Sequence, residues 1–249
     1  MEIVAYKLLY ESELNHWWDK VRRKIVINFI KRYYSGSTHR PQILDIGCGT
    51  GAMAEEVKGI GSYYGLDVSR EAVDFCERRG IENIGLGDVR NIPYGENTFD
   101  FVLALDVIEH VDDDFLAVKE IRRVLRPGGI TIITVPAFKF LWGPTDVFFH
   151  HYRRYRLVEL ESLLKGNNFS ILKLSYFNIL LFFPIVIIRM IIKLFHLPDK
   201  MENNLSRNMI NDTWIINKTL YLIFYFESIL LRCVNFWFGV SALAIGRKK

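Results

Sequence analysis

Cysteine is scarce and scattered. Cys48, Cys76 and Cys233 are the three in the chain, widely spaced and without a CxxC pair. That argues against a disulfide framework and a cysteine zinc centre, and it suits a reducing, cytoplasmic setting. Long apolar runs are lacking as well. The longest charge-free one, Leu174–Ile188, has fifteen residues and contains Ser175, Asn178 and Pro184, whereas a bilayer-spanning helix needs about twenty. The block Leu220–Phe238 is interrupted by Glu227 and Arg232, both costly in lipid. Neither is expected to cross a membrane. Met1–Tyr10 carries Glu2 and Lys7 and no cleavage motif, so no signal peptide is expected. The net charge of +4 is too small to imply a nucleic-acid partner, and none is expected. The histidines and carboxylates fall at no recognisable ligand spacing, so no metal is expected either.

What is present is a chain of 249 residues, 50% hydrophobic and 24% charged. That composition excludes a disordered chain and is long enough for one α/β domain with an elaboration. The charge is uneven. Residues 178–249 hold nine Lys/Arg against four Asp/Glu, so the basic surplus sits on the most apolar part of the chain.

Trp18, Val21, Ile25, Phe29 and Ile30 recur near helical spacing within 11–34, and Ser35-Gly-Ser-Thr38 ends that helix. Strands are expected at 43–46, 63–68, 82–87, 99–105 and 130–135. Helices are expected between them from Ala52, over 70–79 with Ser69 as cap, and from Asp112-Asp-Asp114, with Arg126-Pro-Gly-Gly129 as a stop. Alternation of this kind means βαβ units and a doubly wound, Rossmann-like parallel sheet. After Pro136 the spacing predicts a helix over 157–165, a strand over 170–177, a long apolar helical stretch over 179–238 and a last strand over 241–246. The basic tail Arg247-Lys-Lys249 follows.

Leu44-Asp-Ile-Gly47-Cys48-Gly49-Thr-Gly51 lies where the first strand turns into a helix. Glycines permit that turn, and the helix start offers unpaired N–H groups to a ligand. Gly47, Gly49 and Ala52 also satisfy the dinucleotide pattern G-x-G-x-x-G/A, which keeps a nicotinamide oxidoreductase in view. Asp67, at the end of the second strand, suits ribose hydroxyls in either case. The other carboxylates separate the two. Asp45 would repel a pyrophosphate but serve a cation, and Asp88, at the end of the third strand, can accept from an adenine amino group. An adenosine with positive charge and no phosphate is implied. S-adenosylmethionine has that character.

Taken in order, ILDIGCGTG, YGLDVS, GDV, NTFDFVLALDVIEHV and LRPGG resemble the class I S-adenosylmethionine-dependent methyltransferases, densely over residues 41–135. The resemblance implies a seven-stranded sheet of five parallel-type strands and an antiparallel end pair. It implies that Asp45, Gly47, Cys48, Gly49 and Gly51 hold the methionine part, Asp67 and Val68 the ribose, and Asp88 and Val89 the adenine. Leu105 and Asp106 would line the reaction centre.

Methyl transfer from a sulfonium is an in-line displacement, so the acceptor must be oriented and water excluded. An oxygen acceptor also needs a base within reach. Three segments offer such groups. His16-Trp17-Trp18 is either a lid over cofactor or acceptor, with Trp17 and Trp18 as acceptor contacts, or a packing element. Glu109-His110 follows the fourth strand, as a capping pair or as catalytic groups. The stretch from Trp142 through Asp146 to His150-His151-Tyr152-Arg153-Arg154-Tyr155 overhangs the same mouth. Here His151 is the expected base and Asp146 its orienter, with Asp106 and His110 as less favoured candidates. Trp142, Arg153, Arg154 and Tyr155 are the expected acceptor contacts, an arginine gripping a phosphate or carboxylate through its forked donors.

The chain is also similar to a narrower branch, methyltransferase type 11-like, often encoded among enzymes of lipid-linked glycan synthesis. The matching residues are HWW, then Trp142, Asp146, His151, Arg154 and Tyr155, then Phe238, Gly239 and Ser241. Tyr152 stands where a basic residue is usual, and His150 where a small one is common.

About sixty residues separate the last two expected strands, far more than a hairpin requires. Arg189 and Lys193 rim an apolar helix, which suits peripheral membrane contact through 179–196. A buried cap and an oligomer contact are the alternatives. The expected organisation is a lid helix (1–40), a methyltransferase core (41–177), an apolar helical insertion (178–239) and the last strand with its tail (240–249). The expected reaction is O-methylation of a small-molecule or lipid-linked acceptor, a lipid-linked sugar above all. Carbon methylation of a quinone-like lipid and a silent S-adenosylmethionine-binding membrane adaptor are the rivals. The expected setting is cytoplasmic, with the cytoplasmic face of the membrane left open.

Overall fold

The computed structural model describes residues 3–34, 39–194 and 214–249. The expected break at Ser35–Thr38, the end of the proposed membrane segment at 195–196 and the middle of the insertion lie outside the described residues.

Seven strands form one sheet: β1 Gln42–Ile46, β2 Ser62–Asp67, β3 Ile84–Leu86, β4 Phe99–Leu105, β5 Leu125–Pro136, β6 Phe169–Phe177 and β7 Ser241–Lys248. Their spatial order is β3-β2-β1-β4-β5-β7-β6. The first five run parallel. β7 runs antiparallel between β5 and β6, giving the expected antiparallel end pair. Because β1 to β4 are parallel, the ends carrying Ile46, Asp67, Leu86 and Leu105 share one edge of the sheet.

Both faces are covered, as a parallel sheet requires. Successive residues point to opposite faces. Ile43 and Phe101 pack with α2 (Trp17–Tyr34), α3 (Ala52–Val57) and α9 (Trp214–Leu231), whereas Leu44 and Val102 pack with α5 (Asp114–Val124) and α7 (Leu157–Gly166). α4 (Arg70–Arg78) begins at the Ser69 cap, whose hydroxyl accepts from the Ala72 N–H. α5 begins at Asp113, which caps the Leu116 N–H at 2.9 Å. α6 (Pro144–Phe148) and α8 (Phe182–Leu194) complete the set with α1.

Three expectations are corrected. α1 spans Ile3–Ser12, a stretch with too little periodicity to announce itself. The helix does end just before Arg126–Gly129, at Val124, but the fifth strand begins at Leu125 rather than Ile130, and Arg126–Gly129 lies inside it as a bulge, with Gly128 at φ +78° and a register shift at Phe99/Phe101. The basic tail is largely strand: Arg247 pairs with Ile130 and Lys248 with Phe169, and the Lys248 ammonium donates to the Leu125 carbonyl at 2.7 Å.

The insertion is helical at both described ends. In α9, Phe224, Glu227, Ser228 and Leu231 are buried, the i, i+3, i+4, i+7 stripe of one helix face. By length and composition α9 could cross a membrane. Here that stripe lies on the core instead. Trp18 stacks on Phe224 at 5.0 Å and on Phe177 at 5.7 Å. The Glu227 carboxylate accepts from the backbone N–H groups of Asn178 and Ile179, closing the entry to the insertion. Burial raises that carboxyl to about 7 against those hydrogen bonds.

Candidate active site

The glycine loop is built from left-handed residues: Gly47, Gly49 and Gly51 lie at φ +62°, +55° and +84°. A Cβ at Gly47 would stand 2.5 Å from a Val107 methyl, and one at Gly51 2.3 Å from Ile81 Cδ1. At Gly49 a Cβ would meet nothing within 4 Å. Two glycines therefore serve packing, while Gly49 borders open space. The Cys48 thiol turns inward and pairs with the Cys76 thiol. That hydrogen bond, then burial, pushes Cys48 well above the usual thiol range. Only its backbone remains for a ligand.

Asp67 accepts from the Gly49 N–H at 2.9 Å and the Ser69 N–H at 3.0 Å, so the carboxylate expected at a ribose also shapes the loop. Burial raises its pKa despite these donors. Asp45 is buried and accepts from the Tyr63 hydroxyl at 2.9 Å. Burial lifts it to about 7, against the pull of Tyr63 and of the Arg22 charge. Asp88 is bound by the Arg90 guanidinium and the Arg90 N–H, which hold it below the usual carboxylate range. Val89 is buried, and Val68 is exposed.

The amino-terminal segment closes over this loop. Glu13 accepts from the Thr50 hydroxyl and pairs with Arg79 at 2.8 Å. Arg22 pairs with Asp106 and lies 3.4 Å from Asp19. Asp106, next to Leu105, has φ +58° and accepts from the Thr134 hydroxyl at 3.2 Å. Sequence reading missed Glu13, Arg22 and Thr50. Thr50 lay in view inside the glycine loop, whereas the only signal of Glu13, between α1 and α2, and of Arg22, on α2, was charge on a segment whose register with the sheet was not knowable.

Trp17 and Trp18 take the packing alternative. The Trp17 ring is buried edge-on to Trp18 and Phe224, and the Trp17 backbone N–H donates to Asn217 Oδ1 at 2.8 Å.

On the acceptor side, His151 Nδ1 lies 2.8 Å from Asp146 Oδ1. Arg154 grips the same carboxylate with both arms, at 2.7 and 2.9 Å, and donates to the Ala137 carbonyl. Burial alone would raise Asp146, but the bonds from His151 and Arg154 hold it at about 2. Arg154 is thus a scaffold for Asp146 rather than the expected phosphate grip. Tyr155 is buried and donates to Asp114 at 2.7 Å, also a structural task. A cleft of about 360 Å³ opens here, lined by Lys139, Trp142, Tyr152, Arg153, Arg154 and Tyr155 among others. Arg153 stands on its rim, paired with Asp114 at 2.9 Å. The four expected acceptor contacts of this segment therefore do meet at one cleft.

His110 packs edge-on against His151, with ring centroids 4.6 Å apart. Burial, then the His151 charge, lowers His110 to about 4. Glu109 is fully buried beside them.

Comparison with known proteins fits this geometry. Residues 44–133 match the family described as "Methyltransferase domain". That stretch, about a third of the chain, is similar to a methyltransferase domain. Demethylmenaquinone methyltransferase of Geobacillus stearothermophilus is 33% identical to the chain over 120 residues, covering 44% of this chain and 51% of that relative. The chain spans about half the length of the curated relatives it matches. Among solved structures, a Pyrococcus horikoshii protein is similar with a TM-score of 0.59 at 17% identity, over 97% of this chain and 95% of that one. Phosphoethanolamine N-methyltransferase 2 of Haemonchus contortus, solved with S-adenosyl-L-methionine, is similar with a TM-score of 0.55 at 18% identity. That match covers 89% of this chain and 51% of that one. At such identities the structural likeness of the methyltransferase domain is one of fold.

Proposed function

We propose that the protein methylates an amphipathic lipid acceptor, with S-adenosylmethionine bound across the carboxyl ends of β1, β2, β3 and β4. The observation that carries this is a single edge of the sheet bearing the open glycine loop after β1 and the segments after β4 and β5 that bring His110 to the His151–Asp146 pair, with a cationic, aromatic cleft formed by residues that flank that pair in the chain. In this reading Asp45 and the backbone of Gly47–Gly51 hold the methionine part. Asp67 and Val68 take the ribose through carboxylate lone pairs left by Gly49 and Ser69. Asp88 and Val89 frame the adenine. Arg22, between Asp19 and Asp106, offers a cation to the cofactor's carboxylate.

His151 is the group positioned to take the acceptor's proton, since Asp146 fixes its Nδ1 and leaves Nε2 for the acceptor. The methyl then passes to the acceptor as the S–CH3 bond breaks, and the sulfonium becomes a neutral thioether. The names of the curated relatives favour a quinol-like ring methylated at carbon. Lys139 and Arg153 favour instead an oxygen on a lipid-linked sugar phosphate. Treatment of the purified product with hot hydriodic acid separates the two, because an O-bound methyl leaves as methyl iodide whereas a carbon-bound methyl stays on the product.

Delivery from a membrane is supported by the surface around the cleft. Phe183, Ile187, Met190 and Ile191 of α8 are exposed, as are Phe140 and Phe148 beside the cleft and Trp237 before β7. Phe182 joins them, packing on Phe138, Phe140 and Phe238. Such an apolar face, continuous with the mouth, suits an interfacial docking helix pair. Asp67→Ala should weaken S-adenosylmethionine binding by roughly tenfold or more, through lost charge-assisted hydrogen bonds. Unchanged affinity by calorimetry would overturn the ribose assignment.

A further inference from the structure

We infer that Glu109, His110 and His151 form a binding site for one first-row transition-metal dication at the acceptor end of the cofactor cleft. The inference deepens the methyltransferase reading and rests on it for its catalytic meaning, though not for the binding itself. One donor atom from each of the three residues lies within 4.8 Å of the others. Three features set the cluster apart from a chance meeting of polar groups.

The first is Glu109. Its side chain is fully buried, and neither carboxylate oxygen has a hydrogen-bond partner beyond its own residue. An orphaned buried carboxylate is expensive, and it calls for a proton or a cation. The second is charge. The neighbouring carboxylates already have counter-ions, Asp106 in Arg22 and Asp146 in Arg154. Glu109 has no ion pair among the described residues. The third is the set of outer partners. His151 gives Nδ1 to Asp146, and His110 hydrogen-bonds the backbone of Phe149. Each ring therefore has an outer hydrogen-bond partner, the arrangement that orients metal-ligating histidines.

Two imidazoles and one carboxylate suit zinc, iron(II), cobalt(II) or manganese(II) better than magnesium or calcium, which prefer an all-oxygen shell. Three protein donors leave coordination positions open. An acceptor hydroxyl placed there loses its proton to water and meets the methyl group as the anion. The step needs no oxidant or other co-reactant. With the ion bound, His151 serves as ligand, and metal coordination replaces proton abstraction by the free imidazole.

The test uses tag-free protein stripped with chelator and titrated with cobalt(II), read by visible absorption, and with zinc(II), read by calorimetry. One equivalent should bind with imidazole-type d–d bands. Glu109→Gln and His110→Ala should abolish that equivalent while keeping the thermal transition within a few degrees. Asp146→Asn should weaken it roughly ten- to hundredfold. No saturable uptake by the wild type, or equal affinity in Glu109→Gln and His110→Ala, would overturn the site and mark Glu109 as a buried protonated acid. S-adenosylhomocysteine affinity, measured in the same stripped protein, reports on the cofactor reading separately. Its retention without metal uptake defeats this inference alone.

Discussion

Asp45 shows how one buried carboxylate links the sequence to the chemistry. It stands before the glycines at the end of β1, where a phosphate ligand would be repelled, and burial holds it near pH 7. A cationic sulfonium beside it stabilises the ionised form, so binding expels a proton around neutrality. Below pH 7 the group is protonated, and cofactor affinity should fall by up to roughly tenfold per pH unit. Above about pH 8 affinity should level off. Calorimetry in buffers of different ionisation heat reads the released proton directly, and Asp45→Asn should abolish both the release and the slope. The placement of such residues was legible because it follows from position in a short motif: Asp45 lies in β1, Asp67 ends β2 and the glycines form the turn into α3. The pairing of Arg22 with Asp106, 84 positions apart, was not, although Asp106 itself was a candidate. The same holds for His110 and His151, on segments that only the folded sheet brings together. Arg154 looked like a free cation in the sequence because nothing there shows that Asp146 consumes both its arms.

At the scale of elements, the glycine loop separates fold from ligand. Gly51→Ala adds left-handed strain of roughly 1–2 kcal/mol, and its methyl collides with Ile81 as well. It should lower stability measurably in denaturant. Gly49→Ala carries similar strain but meets no neighbour, so its stability loss should be the smaller of the two and its loss of cofactor affinity the larger. Equal effects of the two substitutions on affinity would contradict the placement of the cofactor at Gly49. Strands and helices of the βαβ region were legible from periodicity and caps, as at Ser69 and Asp113. The β5 bulge was not, because Pro-Gly-Gly reads as a turn until β4 is beside it. α1 was missed for want of an amphipathic pattern. The insertion was legible as apolar helix, but its division into a face on the core and a face outward depends on Trp18, Phe177 and Glu227, which lie on other elements or far along the chain.

For the whole molecule, the proposed reading joins the carboxyl-end edge of the sheet, the acceptor cleft and the exposed apolar residues of α8 and α9. On that reading membrane docking and catalysis are parts of one arrangement. Vesicles of phosphatidylcholine and phosphatidylglycerol should sediment the protein. Replacing Phe183, Met190 and Trp237 together by Ser should reduce that partitioning by roughly tenfold or more, from the apolar area lost to the bilayer. Partitioning that is absent, or unaffected by the triple change, would return the insertion to a cap on the core. The central claim, methyl transfer to an amphipathic acceptor, has a more direct test. The protein is incubated with methyl-labelled S-adenosylmethionine and separated membrane and soluble fractions of the source cell. The account predicts label in an organic-extractable product formed from the membrane fraction. Label confined to water-soluble product, or no transfer to either fraction, would contradict it.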